Sequence, residues 1–276
     1  MRKLFLSCLI SLGILSIEAQ VKLPAPSSTQ TIKQDFGVGT IELTYSRPSA
    51  KGRKIFGDLV PYNKIWRTGA NGPTKITLSD PIEIGGRSLD TGSYVLYTIP
   101  GKDSWEVIIN KGLKNWGIDG YTDSQDVARF TVTPEKVKPS VETFTMQFAD
   151  IKPESCLLQL MWDKTSISIP ITTNIKAKVR AQIEAAMLTD KKPYWQAAQF
   201  YKEYDKDLAK ALENVNNATT QNPKAFWIYL YKARILKEMG DNAGAKAASD
   251  ISLSLAKEAK NDDYVRMNEQ LQKGLK

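Results

Sequence analysis

The chain has 276 residues, of which 25% are charged and 42% hydrophobic, a net charge of +8 and no histidine. This length and composition are those of an ordinary globular protein with one or two domains. The absence of histidine excludes Ser-His-Asp and Cys-His catalysis, histidine metal sites and histidine proton relays, so any proton transfer would have to use Asp, Glu, Lys or Tyr.

The first 19 residues have the pattern of a secretory signal peptide. A positively charged start precedes an apolar run over residues 4–17, and Ala19 supplies the small residue before a cleavage point. We therefore expect an exported protein, periplasmic or secreted, with a Pro- and Ser-rich flexible leader over residues 20–30. The alternative, a lipoprotein attached through Cys8, would leave almost no apolar run before the cysteine. The apolar run is too short to cross a membrane, and nothing later in the chain is apolar enough, so no membrane span is predicted.

A period of two dominates the chain from residue 31 to about residue 171. Phe144, Met146 and Phe148, for example, alternate with polar residues and share one face of a predicted strand. About nine short strands separated by turn residues favour an antiparallel β-sandwich or jelly-roll-like domain over residues 31–172. A long irregular stretch, residues 45–71, interrupts these strands and is dense in cations and aromatic residues.

Residues 156–171 complete the predicted strand domain. We interpret them as a final hairpin broken at Asp163 and Lys164. Cys156 opens an apolar run and is the only cysteine that remains once the signal is removed, which excludes an intramolecular disulfide. A small buried hydrophobic residue is the favoured interpretation of Cys156, and a reactive thiol is the alternative.

The period then changes to that of helices. Residues 174–188 have the spacing of an amphipathic helix, which we expect to be a linker within residues 173–192. Residues 193–276 are predicted to form paired helices, with small residues and a Gly240-Asp241 turn where a tetratricopeptide-like (TPR-like) repeat would place them. A generic helical-hairpin array is the alternative, because the first unit lacks the turn glycine. Most of the excess positive charge lies here, dispersed in a way that favours a solvated face.

Several motifs resemble one known family. They are YSRPS, KGR, IFG, LVPY and WRTGAN within residues 45–71, GSYVLYTIP and WEVIIN within residues 92–110, and NWG at residues 115–117. Together they resemble the DUF2911 family over about residues 30–172. The resemblance implies an exported bacterial protein, of a kind common in the Bacteroidota, and carries no activity. The sequence departs from the family pattern at Gly72-Pro73, where the resemblance implies an acidic residue.

The irregular stretch and one later turn supply the candidate binding residues. They are Arg47, Lys51, Arg53, Tyr62, Trp66, Arg67, Asn71 and Trp116. Arginine side chains match carboxylate, sulfate and phosphate groups, and the aromatic rings could stack on a sugar. In the alternative interpretation the cations bind Asp58, Asp90 or backbone carbonyls and hold the stretch against the sheet, while the aromatic rings fill the core.

Other sites are less favoured. Residues 119–126 bring oxygen ligands together, but they lack the spacing of a calcium loop, so a solvated turn is the better interpretation. No glycine-rich phosphate loop is present. We therefore predict no metal and no cofactor, and no nucleic acid as a partner.

The leading hypothesis is a non-catalytic binding or scaffold protein of the bacterial cell envelope. Residues 45–71 would bind an unknown envelope protein or an anionic or glycan ligand, and the helical array would offer a second protein-binding surface. One alternative is a carboxylate-dependent hydrolase acting on a glycan, which needs two carboxylates within about 10 Å of each other in one cleft. Another is a small-molecule carrier, which needs a cavity of about 300 Å³ or more inside the strand domain.

Overall fold

The computed structural model describes residues 23–275, so the predicted signal peptide, Cys8 and the start of the leader lie outside the described residues. Its first part contains ten strands: β1 (Ser28–Phe36), β2 (Gly39–Arg47), β3 (Thr74–Leu78), β4 (Ile82–Ile84), β5 (Arg87–Leu89), β6 (Gly92–Ile99), β7 (Trp105–Asn110), β8 (Asp126–Val132), β9 (Glu135–Ala149) and β10 (Ser155–Thr172). A short 3₁₀ turn, Asp123–Gln125, precedes β8. Strand β1 begins inside the predicted leader, whose last three residues pair with β2.

The strands form two antiparallel sheets, which confirms the predicted fold class for this part of the chain. The larger sheet has the order β1-β2-β3-β6-β7-β8 and the smaller one β5-β4-β10-β9. A two-residue turn joins β4 and β5, and its residues Gly85 and Gly86 have φ values of +56 and +73. Glycine adopts this left-handed conformation without steric cost, which explains the position of this hairpin.

One core lies between the sheets and takes alternate residues from both. Leu43, Ile76 and Leu96 enter it from the larger sheet, and Phe144 and Leu158 enter it from the smaller one. Burial of such side chains is the main favourable term in folding. The aromatic members Phe56, Trp66, Trp105, Phe144 and Trp162 form a cluster with ring centroids 4.8–6.3 Å apart.

The prediction of a hairpin over residues 156–171 is wrong. Strand β10 runs through the whole segment, and its register with β9 shifts on both sides of Asp163, where φ is +50. This bulge inserts a residue without reversing the chain, so Trp162 and Ile167 both stay in the core. Cys156, at the start of β10, is 3% exposed, and burial raises the pKa of its thiol to about 11. The prediction that Cys156 is buried is confirmed.

Six helices follow the strands, as predicted: α1 (Lys176–Met187), α2 (Tyr194–Phe200), α3 (Leu208–Gln221), α4 (Phe226–Glu238), α5 (Asn242–Glu258) and α6 (Asp262–Lys273). Helix α2 continues into a π-helical turn, Tyr201–Asp205. The predicted linker helix corresponds to α1, whose Ile183 packs against Ala197 and Phe200 of the next helix. Within residues 23–275 no helix is both long enough and apolar enough to cross a membrane.

The strand region and the helical region are connected through the residues around the start of α1. Glu154 Oε1 accepts a hydrogen bond from the Ile175 backbone N–H at 3.1 Å. Lys178 on α1 forms an ion pair with Asp80, which follows β3. These two polar contacts fix the direction in which the helices leave the sheet.

Candidate functional site

The irregular stretch between β2 and β3 is fastened to the smaller sheet at its start. The Tyr45 hydroxyl, at the end of β2, accepts a hydrogen bond from the Met146 backbone N–H at 2.8 Å. Arg47 donates from Nε to the Phe144 carbonyl at 3.1 Å and from Nη2 to Thr145 Oγ1 at 2.8 Å. Arg47 therefore connects β2 to β9 across the edge of the sandwich.

The next residues add a short extra strand to the edge of β9. The Pro48 carbonyl accepts from the Phe144 N–H at 2.8 Å, and the Ala50 N–H donates to the Glu142 carbonyl at 2.7 Å. The Lys51 backbone N–H donates to Glu142 Oε1 at 2.8 Å, and φ of Lys51 is +51. The contact that Lys51 makes here is thus through its backbone, and its side chain is exposed.

The middle of the stretch is a tight turn. Arg53 donates from Nε to the Ala50 carbonyl at 3.0 Å and from Nη2 to the Ser49 carbonyl at 2.7 Å. Tyr62 lies over Gly57, where φ is +86 and an added Cβ would come within 2.5 Å of the Tyr62 ring. Glycine is required there, because any side chain would displace the ring.

The segment from Trp66 to Asn71 returns the chain to the larger sheet. The backbone of Trp66 exchanges two hydrogen bonds with Thr98, at 2.7 and 3.0 Å, and its indole N–H donates to the Gly69 carbonyl at 3.1 Å. Thr68 is buried with φ of +55, a conformation that costs a β-branched residue about 1–3 kcal/mol. Its hydroxyl lies 3.0 Å from Thr98 Oγ1, so the surrounding hydrogen bonds keep it in this conformation.

Arg67, between these two fixed residues, reaches the turn that contains Trp116. Its Nη1 donates to the Asn71 carbonyl at 2.8 Å. Gly117 lies against the guanidinium, since a Cβ on Gly117 would be 2.8 Å from Nη1. Burial raises the pKa of the Tyr97 hydroxyl nearby, while a hydrogen bond from Asn115 and the charge of Arg67 act in the opposite direction.

Two neighbouring clefts open beside this segment. The first, with a volume of about 350 Å³, is lined by Ser27, Pro48, Arg53, Leu59, Val60, Trp66, Arg67, Gly69, Ala70, Asn71 and Trp162. The second, with a volume of about 330 Å³, is lined by Thr29, Thr44, Tyr45, Ser46, Asn71, Gly72, Pro73, Lys75 and Trp116. Asn71 lines both. We call them the arginine cleft and the tryptophan cleft.

The positive charge of this site has no acidic partner within residues 23–275. The residues that line the two clefts include no Asp or Glu. The hydrogen bonds of Arg47, Arg53 and Arg67 go to carbonyl and hydroxyl oxygens, and none of these arginines is in an ion pair with a described carboxylate. The predicted alternative is therefore confirmed for backbone carbonyls and wrong for Asp58 and Asp90.

The eight candidate residues do not all lie at one site. It brings Arg53, Trp66, Arg67 and Asn71 to the arginine cleft, and Asn71 and Trp116 to the tryptophan cleft. Arg47 and Lys51 are not among the described residues that line either cleft. Tyr62 lines a third cleft of about 190 Å³ together with Phe56, Lys102, Trp105 and Glu135.

Sequence reasoning missed Lys75 and Ser27. The strict alternation of β3 could have identified Lys75, because Thr74 and Ile76 are buried and Lys75 must then point outward. Ser27 lies in the predicted leader, and its carbonyl accepts a hydrogen bond from Asn71 Nδ2 at 3.2 Å. No pattern in the sequence indicates that contact.

The sandwich interior and the acidic turn have structural roles. The aromatic cluster around Trp66 and Trp162 fills the space between the sheets, where the carrier hypothesis places an apolar cavity. Asp126, the first residue of β8, accepts hydrogen bonds from Tyr121 and Arg129, and burial together with Asp126 raises the pKa of Tyr121 to about 12. Within the described part of the chain, no group of three or more acidic or Cys side chains could hold a metal.

One part of the chain matches a known protein family. A protein-family model described as "Protein of unknown function (DUF2911)" matches residues 27–171. This match covers more than half of the chain and all ten strands except the last residue of β10. No curated protein and no solved structure matches the chain.

Proposed function

Because this chain belongs to the DUF2911 family, whose description names no activity, we propose its function from the site itself: it is a binding protein that recognises an anionic group in the arginine cleft. The observation that carries the proposal is that Arg53 and Arg67 line one cleft that no described carboxylate shares. Carbonyl oxygens carry no net charge, so the positive charge of these guanidinium groups is not compensated by the groups they bond to. A bound carboxylate, sulfate or phosphate would compensate it.

The hydrogen-bonding capacity of the two arginines supports this assignment. A guanidinium has five N–H donors. Arg67 donates one hydrogen bond, to the Asn71 carbonyl, and Arg53 donates two, to the carbonyls of Ser49 and Ala50. Donors therefore remain on both side chains for a ligand, while the bonds already made hold the guanidinium groups in place. A pre-organised pair of this kind loses little conformational entropy on binding.

The walls of the arginine cleft suit a small, partly apolar ligand. Leu59 provides an exposed apolar contact, the buried side chains of Val60, Trp66 and Trp162 lie beneath the cleft, and Asn71 and Ser27 provide polar groups. A few polar groups on a largely apolar wall are typical of small-ligand sites. The same lining excludes acid–base catalysis by a carboxylate pair at this cleft, so binding without catalysis is the function that this geometry supports best.

We also propose that the protein is exported and that its helices form a TPR-like scaffold surface. The charged start, apolar run and Ala19 support export. Lys206 and Gly240, 34 positions apart, both have left-handed φ values (+60 and +85), and each precedes a capping aspartate, Asp207 and Asp241. A repeat of that length supports the TPR-like assignment, and Lys206 occupies the place of the turn glycine that the first unit lacks.

The test compares two sugars that differ in one carboxylate. We expect D-galacturonate to bind the full exported chain, as measured by isothermal titration calorimetry, and D-galactose to bind far more weakly. Arg67→Ala should weaken galacturonate binding about 10- to 100-fold, since hydrogen bonds to charged groups contribute about 1.5–3 kcal/mol. Arg87→Ala, at the exposed start of β5 outside both clefts, is the matched control and should change nothing. Equal binding of the two sugars, or equal effects of the two arginine variants, would refute the proposal.

A further inference from the structure

Trp116 differs from the other tryptophans of the strand region. Trp66, Trp105 and Trp162 are 8%, 3% and 2% exposed, whereas Trp116 is 66% exposed. An indole on the surface is a large apolar area in contact with water, and such areas mark binding sites when they line a cleft. Trp116 lines the tryptophan cleft beside Gly72, where an added Cβ would lie 3.9 Å from its ring.

The backbone around Trp116 is held in place. Trp116 and Asp119 exchange two backbone hydrogen bonds, at 3.2 and 2.9 Å, which closes a tight turn. Gly117 in that turn packs on the Arg67 guanidinium, and Asn115 Nδ2 donates to the Tyr97 hydroxyl at 3.1 Å. The turn that carries the exposed ring therefore packs, through Gly117, on the same arginine that lines the neighbouring cleft.

A continuous line of polar groups connects the two clefts. Ser46 Oγ lies 3.3 Å from Thr29 Oγ1 in the tryptophan cleft, and it accepts a hydrogen bond from Asn71 Nδ2, also at 3.3 Å. The same Asn71 Nδ2 donates to the Ser27 carbonyl in the arginine cleft at 3.2 Å. Asn71 Nδ2 therefore bonds to residues that line both clefts.

The composition of the tryptophan cleft favours a sugar ring. Thr29, Thr44 and Ser46 carry hydroxyl groups that both donate and accept hydrogen bonds, as sugar hydroxyls do. The flat, exposed indole of Trp116 can cover the apolar C–H face of a pyranose. Lys75 is the one cation among the described residues that line this cleft, and none of those residues carries a carboxylate.

Resting on the proposed anion binding, we infer that the ligand is an acidic oligosaccharide of at least two sugar rings. One ring places its carboxylate against Arg53 and Arg67, and the adjacent ring stacks on Trp116. Trp116 is then a specificity-determining residue for chain length, whereas Arg67 determines whether an acid binds at all.

The experiment uses galacturonate and its α-1,4-linked disaccharide, digalacturonate, with the full exported chain in calorimetry. We expect the disaccharide to bind about 2- to 10-fold more tightly than the monomer, the factor that one aromatic contact supplies. Trp116→Ala should reduce this gain, measured as the ratio of the dissociation constants of monomer and disaccharide, to about 1. Arg67→Ala should weaken both. Trp227→Ala, an exposed tryptophan on α4, is the matched control, and circular dichroism of each variant verifies its fold.

The outcomes separate the inference from the proposal on which it rests. If the disaccharide binds no more tightly than the monomer, or if Trp116→Ala weakens both sugars equally, the two-ring inference is wrong and anion binding still stands. If neither acid binds the wild-type chain, both fail. Tighter binding of the dipeptide Glu-Glu than of digalacturonate would overturn the inference in favour of an acidic peptide.

Discussion

The strand region and the helical region fill their interiors with different side chains. The largest fully buried residues of the described chain all belong to the strand region, and Trp162, Tyr45 and Phe144 among them lie between the two sheets. The helical core consists mainly of alanines, among them Ala211, Ala218 and Ala245. Packed sheets lie about 10 Å apart and need large side chains between them, whereas small residues let helices approach closely.

Buried polar groups also hold the helices together. In the helices Ser249, Ser252 and Asn268 are completely buried, and Asn268 hydrogen-bonds to both serines at 2.8 Å. A small-residue core leaves little room for adjustment, so these bonds fix the position of α6 on α5. We therefore expect the strand core to be most sensitive to side-chain truncation and the helical core to side-chain enlargement.

Truncation in the strand core should have the largest effect. Trp162→Ala removes a side chain that contacts three aromatic rings, those of Phe56, Trp66 and Phe144, and donates its indole N–H to the Glu142 carbonyl at 3.2 Å. We expect the free energy of unfolding to fall by about 3–5 kcal/mol in urea denaturation. Trp116→Ala, the exposed counterpart, should change it by less than about 0.5 kcal/mol. Similar losses for the two variants would contradict the assignment of the core.

Enlargement in the helical core should have the next largest effect. Ala245→Leu forces three extra carbons into a position with no exposed surface, against Ala233 and Leu236, and should cost about 1–3 kcal/mol. Ala247→Leu, on the exposed side of the same helix, is the control. Thermal unfolding followed by circular dichroism at 222 nm would measure both. An unchanged melting temperature for Ala245→Leu would show that the helices are more loosely packed than described.

Alkaline pH should destabilise the strand core through Cys156. Burial raises the pKa of its thiol from an ordinary 9.0 to about 11, so the folded state holds a proton that the unfolded state releases. The stability that the neutral thiol contributes is therefore complete below pH 9 and is lost as the pH rises towards 11. Urea denaturation of the wild type and Cys156→Ala over this range measures it. Parallel pH profiles for the two proteins would argue against a buried thiol.

The contact between the two regions should have the smallest effect. Lys178 and Asp80 form a partly exposed ion pair, so Lys178→Ala should cost at most about 1 kcal/mol, and less at high salt. Lys176→Ala, an exposed lysine on the same helix, is the control. Equal effects of the two variants at low salt would mean that the ion pair contributes nothing to the junction.

Much of the fold could be predicted because burial on one side of a strand leaves an alternating pattern. Phe144 and Met146 are buried as that pattern predicts. The bulge at Asp163 could not be predicted, because a polar residue interrupts the alternation in a bulge as it does in a turn. Sequence reasoning therefore assigned two strands where the chain has one.

The candidate site was less predictable, because the irregular stretch has no period. Arg47 and Arg67 have the same chemistry in the sequence, and only the positions of Phe144 and Asn71 decide which arginine is bound to the sheet and which lines the cleft. Trp66 and Trp116 are likewise indistinguishable by residue type, although one is buried and the other exposed. Contacts between residues distant in sequence determine both differences.

Anion binding in the arginine cleft is tested most directly by an NMR titration of the arginine Nε–Hε groups with galacturonate. We predict that the resonances of Arg53 and Arg67 shift with increasing ligand. Those of Arg129 and Arg180, which are already paired with Asp126 and Asp205, should stay in place. A uniform shift of all four resonances, or no shift at Arg67, would contradict the claim that the cleft beside Asn71 binds an anion.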